Sequence, residues 1–101
     1  MKDEEMVITD NDFLRQFETT IQGELVKVEY SQQDRKIFLT KLVITEELKE
    51  KGFMEPFLEK LLDYIKERGN DRVVPTNPDI AKFMRKNKRK YKDLLPVGIN
   101  I

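Results

Sequence analysis

The sequence predicts an α/β (α+β) domain of order β-β-β-α-β-α, an antiparallel meander followed by a crossover to a parallel strand. Three observations carry this. Apolar and polar residues alternate between Phe13 and Tyr30, a denser apolar run follows from Ile37 to Ile44, and a helical stripe spans Phe57 to Ile65, ahead of Gly69. A helix between two buried strands returns the chain in the same direction, so Val43 and Val73 are expected on adjacent parallel strands.

Each element follows in order. Residues 1–12 read as a frayed or loosely packed segment in which only Met6, Val7 and Ile8 could dock, leaving 13–101 as a single domain. From Phe13 to Ile21, Phe13, Phe17, Thr19 and Ile21 suit one face of a strand, and Gln22-Gly23 marks a turn. Val26, Val28 and Tyr30 alternate with Lys27 and Glu29 as in a sheet with one wet face, and SQQDRK reads as the hairpin loop. The third strand is apolar on both parities at Ile37, Phe38, Leu39, Leu42, Val43 and Ile44, broken only by Thr40 and Lys41, as expected of a central strand covered on both sides.

After the polar stretch Thr45 to Lys51, Gly52 sits where a chain turns tightly before a helix. Pro56 fits the first turn, and Phe57, Leu58, Leu61, Leu62, Tyr64 and Ile65 fall within an arc of about 160° at 100° per residue. Gly69 is the expected C-terminal cap, and Arg72, Val73 and Val74 form a short strand ended by Pro75. Asn77-Pro78 is an N-cap followed by a first-turn proline, opening a helix from Pro78 to about Asn87 with Ile80, Ala81, Phe83 and Met84 inward. Tyr91, Leu94 and Leu95 are expected to fold back onto the core.

Composition narrows the function classes. With 101 residues and 39% hydrophobic content the chain supports one modest core. No window approaches the roughly 20 apolar residues of a membrane helix, and MKDEEM lacks the features of a signal peptide, so no membrane partner and a cytoplasmic location are expected. The chain has no Cys and no His, which removes thiol nucleophiles, imidazole bases and Cys/His metal sites. Nineteen basic and nineteen acidic residues cancel, which argues against nucleic acid as partner. The distribution is uneven: Lys82, Arg85, Lys86, Lys88, Arg89, Lys90 and Lys92 fall together with no acid among them.

A helix entered through a Gly-containing loop presents unpaired N–H groups and a positive dipole end that suit a phosphate, and Lys49 and Lys51 beside Gly52 strengthen this. The plainer alternative is a turn without a ligand. For the basic face the alternatives are a solvated surface and a phosphate seat formed by Lys82, Arg85 and Lys86.

The order of elements, with LVITEELKEKGFMEPFLEKLLDYIKERG, RVVPTNPDIAKFMRKN and KDLLP, resembles the core of the GCN5-related N-acetyltransferases over residues 13–96, and more narrowly their small bacterial and eukaryotic group. The resemblance implies an acetyl-CoA loop at Lys49, Glu50, Lys51, Gly52, Phe53 and Met54, with Lys49 where the family has Arg or Gln and Met54 where it has Gly or Ala. It further implies that the pantetheine arm pairs with backbone groups of Leu42, Val43 and Ile44. Asn77 stands where the small group often has Cys, and where broader members have an Asn on the pantetheine arm. Lys82, Arg85 and Lys86 become the seat of the 3′-phosphate.

The implied function is transfer of an acetyl group from acetyl-CoA to a small-molecule or protein amine, with Glu46, Glu47 or water taking the proton and Tyr91 a candidate to return one. Two further readings stand beside it: a catalytically silent relative that binds acyl-CoA or a protein partner, and a basic-face nucleic-acid binder.

Overall fold

A computed structural model describes residues 6–69 and 71–96. The acidic start Lys2 to Glu5 and the end of the expected domain, 97–101, lie outside the described residues. Five strands form one sheet in chain order: β1 (Thr9–Asn11), β2 (Gln16–Ile21), β3 (Glu24–Gln33), β4 (Lys36–Val43) and β5 (Arg72–Pro75). The first four pair antiparallel and β5 runs parallel to β4, as the meander and crossover predict. The helices are α1 (Glu46–Glu50), α2 (Met54–Arg68), α3 (Pro78–Lys86) and α4 (Lys88–Tyr91), with a 3-10 turn over Lys92–Leu94.

Register puts Phe17, Thr19, Val26, Val28, Tyr30, Ile37, Leu39 and Val73 on one sheet face, all buried. Against this face lies α2, whose Phe57, Leu58, Leu61, Leu62 and Ile65 are buried as the arc predicts, each worth about 1.5–3 kcal/mol relative to exposure. Tyr64 meets the Phe17 ring edge-on at 5.9 Å, which fixes α2 over the meander. Ile80, Phe83 and Met84 of α3 join the same core, and Tyr91, Leu94 and Leu95 fold back onto it.

The central strand differs from expectation in an informative way. Tyr30 pairs with Leu39 but Glu29 with Lys41, so Thr40 is a β-bulge. The extra residue switches parity: Ile37 and Leu39 face the core before it, Leu42 and Ile44 pack against the core after it. Two-sided apolarity therefore comes from one inward stripe interrupted by a bulge, not from cover on both sides. Phe38, Val43 and Val74 sit half-buried on the opposite face beside Lys27, Glu29 and Lys41.

Several boundaries also move. Phe13 does not enter the strand: the β1–β2 turn holds it 92% exposed, with Arg15 at φ 56° and the Asn11 side chain accepting from the Leu14 N–H. The segment SQQDRK is mostly strand, because Asp34 and Arg35 both take positive φ, at 51° and 63°, and make a two-residue turn that extends β3 to Gln33. Arg35 is held there by its carbonyl, which accepts from Arg72 N at 2.8 Å. The lead-in supplies β1, anchored where Asp10 accepts from Tyr30 Oη at 2.6 Å and Arg68 Nη1 at 3.0 Å.

Candidate functional site

The β4–β5 ladder ends early. Its last pair is Leu39 with Pro75, and the Leu39 carbonyl then accepts from Thr76 N, Asn77 N and Thr76 Oγ1 at 3.2, 3.1 and 3.0 Å. Proline lacks the N–H to continue a ladder, and those three donors turn the chain away from the sheet. β4 runs on through Thr40–Val43 with β3 on one side and no strand on the other among the described residues. Its backbone there is an open edge, able to pair with an extended ligand carrying amide groups.

At the same end lies the expected anion loop, in a tighter form. Lys49 and Glu50 belong to α1, which Thr45 caps by accepting from Leu48 N at 3.2 Å. The connection to α2 shrinks to Lys51, Gly52 and Phe53, with Gly52 at φ 85°, a conformation that favours glycine. The loop amides are directed inward: Lys51 N donates to Glu47 O at 3.1 Å, Gly52 N to Lys49 O at 3.0 Å and Phe53 N to Leu48 O at 3.0 Å. The first α2 bond runs from Phe57 N to Phe53 O, and Pro56 has no N–H, so Met54 and Glu55 supply the outward amides. Met54 is half-buried against the core, which withdraws part of its side chain from the helix end.

The lysines beside this end are tethered but exposed. Lys49 Nζ lies 3.5 Å from Glu46, and Lys51 Nζ lies 3.3 Å from Glu47 and donates to Gln22 Oε1 at 2.9 Å. Glu46 and Glu47, the candidate proton acceptors, are thus held by neighbours one helical turn away. Asn77 caps α3, its Oδ1 accepting from Asp79 N at 2.9 Å and Ile80 N at 3.2 Å. Any ligand contact falls to its Nδ2.

The basic face divides into two populations. Lys82 and Arg85 are exposed on α3, whereas Lys86 donates to Glu55 Oε2 at 2.7 Å across to the first turn of α2. One turn further, Lys90 donates to Glu59 Oε2 at 2.7 Å and lies 3.7 Å from Asp63. The Glu59 hydrogen bond raises the Lys90 pKa. These pairs span a groove of about 270 Å³ lined by Glu55, Glu59, Phe83, Lys86, Lys90 and Tyr91.

Tyr91 is 1% exposed, and its hydroxyl has no hydrogen-bond partner among the described residues. Burial pushes its pKa up. The Lys90 ammonium lies 5.3 Å from the Tyr91 ring centroid and gives its 2.7 Å hydrogen bond to Glu59. Sequence reasoning singled out Lys86 and Tyr91 separately but not the groove. The available signal was Glu55 and Glu59, four apart on α2 and opposite in charge to the run at 82–92.

None of the described helices is long and apolar enough to cross a membrane. A family model described as GCN5-related N-acetyl-transferase matches residues 16–94, from the first residue of β2 to the end of the 3-10 turn. No curated protein matches the chain.

Proposed function

The chain belongs to the GCN5-related N-acetyltransferase family, and on that premise we propose that it is a cytoplasmic enzyme transferring an acetyl group from acetyl-CoA to an amine. The observation that carries the reading is the open β4 edge at Thr40–Val43, left where the ladder stops at Leu39 and Pro75. An acyl-CoA fits the groups around it. The backbone of Leu42, Val43 and Ile44 offers amide pairing to the pantetheine arm, and Asn77 Nδ2 stands at the head of α3 beside it. The Met54 and Glu55 amides, with Lys49 and Lys51, suit the pyrophosphate. Lys82, Arg85 and Lys86 suit the 3′-phosphate.

With no Cys and no His in the chain, transfer is direct. The amine nitrogen forms a bond to the thioester carbonyl carbon, the carbon–sulfur bond breaks, the thiolate leaves, and the surplus amine proton passes to Glu46, Glu47 or water. Holding both reactants in the cleft supplies most of the acceleration, because a deprotonated amine needs little further activation.

The alternative, a silent relative that binds acyl-CoA or a protein partner, is favoured by one observation: the loop amides of Lys51, Gly52 and Phe53 are already bonded within the chain. Calorimetry with acetyl-CoA, then turnover on a panel of amines read by thiol release, separates the two. The absence of cysteine leaves that assay without protein background. Binding with turnover supports the enzyme and binding without turnover the silent relative. No binding at millimolar acetyl-CoA overturns both as acyl-CoA proteins.

A further inference from the structure

The open edge of β4 is closed at one end and covered on one face. The ladder shuts it at Leu39 and Pro75, and the apolar sides of α2 and α3 cover the core face of the sheet. An acyl-CoA whose pyrophosphate lies at the start of α2 therefore runs back along Val43 and Leu42 and brings its acyl end to Lys41 and Thr40. An amine reaches it from the opposite face. That face already carries one: Lys41 stands there just past the bulge, exposed, with Glu29 as its cross-strand partner. Among the described residues its ammonium has no ion pair or hydrogen bond. The lysines around it differ, since Lys27 lies 3.5 Å from Glu29, Lys49 3.5 Å from Glu46 and Lys51 3.3 Å from Glu47. We infer that Lys41 is a self-acetylation site, its ε-amine taking the acetyl group of an acetyl-CoA held along β4 and Glu29 accepting its proton.

The reach is sufficient. A chain paired to a strand edge runs about 4.8 Å away and a nucleophile attacks from about 3–3.5 Å above the carbonyl, so Nζ must lie about 6 Å from the Lys41 Cα, within the span of its four-carbon stem. Thr40 Oγ1 donates to Glu29 O at 3.1 Å, which pins the bulge and keeps Lys41 opposite Glu29. Opposed side chains start about 5 Å apart at Cβ, and the Glu29 side chain, 39% exposed, is free to turn from Lys27 to Lys41. The step balances. The ammonium yields one proton to Glu29, which passes it to water, and the nitrogen lone pair forms the bond to the thioester carbonyl carbon. The carbon–sulfur bond breaks, and the departing thiolate takes the second proton and leaves as the CoA thiol. A neutral amide replaces a cation on the face from which amines arrive. The inference rests on the acyl-CoA reading of the same edge.

The test pairs calorimetry with acetyl-CoA and mass spectrometry of acetyl uptake by the wild type, Lys41→Arg and Glu29→Gln, with urea-unfolded wild type as the reference for unassisted labelling. The folded wild type should take up a single acetyl group on Lys41, at a rate that saturates with acetyl-CoA and does not depend on protein concentration. Lys41→Arg should fall by at least about tenfold, to the rate of the unfolded chain. Glu29→Gln should label the same residue at least about tenfold more slowly while its Kd for acetyl-CoA stays within about twofold. Binding without labelling, or labelling spread over the exposed lysines with no preference for Lys41, overturns the inference and leaves the acyl-CoA reading standing. Wild-type rates in Glu29→Gln overturn the proton's route through Glu29. No binding at millimolar acetyl-CoA overturns the acyl-CoA reading and the inference with it.

Discussion

Removing the Tyr91 hydroxyl should stabilise the fold. The ring is 1% exposed and packs against Phe83 at 5.9 Å, and Tyr91→Phe keeps both features. Among the described residues the oxygen has no hydrogen-bond partner within bonding geometry to lose, so the variant removes a buried polar group whose desolvation costs about 1–3 kcal/mol. For a chain of this length 1 kcal/mol moves Tm by about 4–8 °C, so a rise of at least about 5 °C is expected. Urea denaturation should show a higher midpoint with an unchanged m-value, because the surface exposed on unfolding hardly changes. A variant destabilised by about 1 kcal/mol or more would show that the hydroxyl makes a bond in the folded protein, and the argument from an orphaned donor would collapse.

Asn77→Ala removes both capping bonds of α3 and should destabilise the protein by about 1 kcal/mol in urea, with Asn77→Asp close to wild type. Met54→Gly opens the approach to the first amides of α2 and should lower the Kd for CoA several-fold on folded protein, at a stability cost of about 1 kcal/mol for the lost half-buried side chain; an unchanged Kd would remove the pyrophosphate from this helix end. Glu18 has its pKa held below its ordinary 4.5 by hydrogen bonds from Gln16 and Asn11. Its contribution is therefore complete above pH 4.5 and lost as pH falls through the lowered value, so Glu18→Gln should flatten the acid limb of urea midpoints measured from pH 6 to 3.

Elements whose signals are local were legible in the sequence. α2 and α3 could be read because their apolar stripes, Gly69 and Asn77-Pro78 lie within the elements they define. The bulge at Thr40 could not, since an inward stripe with one inserted residue writes the same pattern as a strand buried on both faces. α1 carries one buried side chain, Leu48, too few for a period. β1 depends on Asp10 meeting Arg68, a partner 58 positions away. The open β4 edge follows from the strand-turn-helix order that the sequence predicts, whereas the ligand roles of its residues rest on the family resemblance alone. The groove was not, because its ion pairs join residues 31 positions apart and no charge pattern specifies which acid meets which lysine.

The early end of the β4–β5 ladder also bears on the order of assembly. Strands β1 to β4 are joined by short turns and form through local contacts, whereas β5 reaches β4 only after α2, pairing Arg72 with Lys36. The cleft thus lies along a seam between an early hairpin sheet and a late C-terminal segment fastened to it by four paired positions. Amides of β5 and α3 should exchange with solvent through partial openings that leave the meander intact. A ligand bridging the seam would close those openings, so its binding should be visible as slowed exchange confined to the C-terminal third.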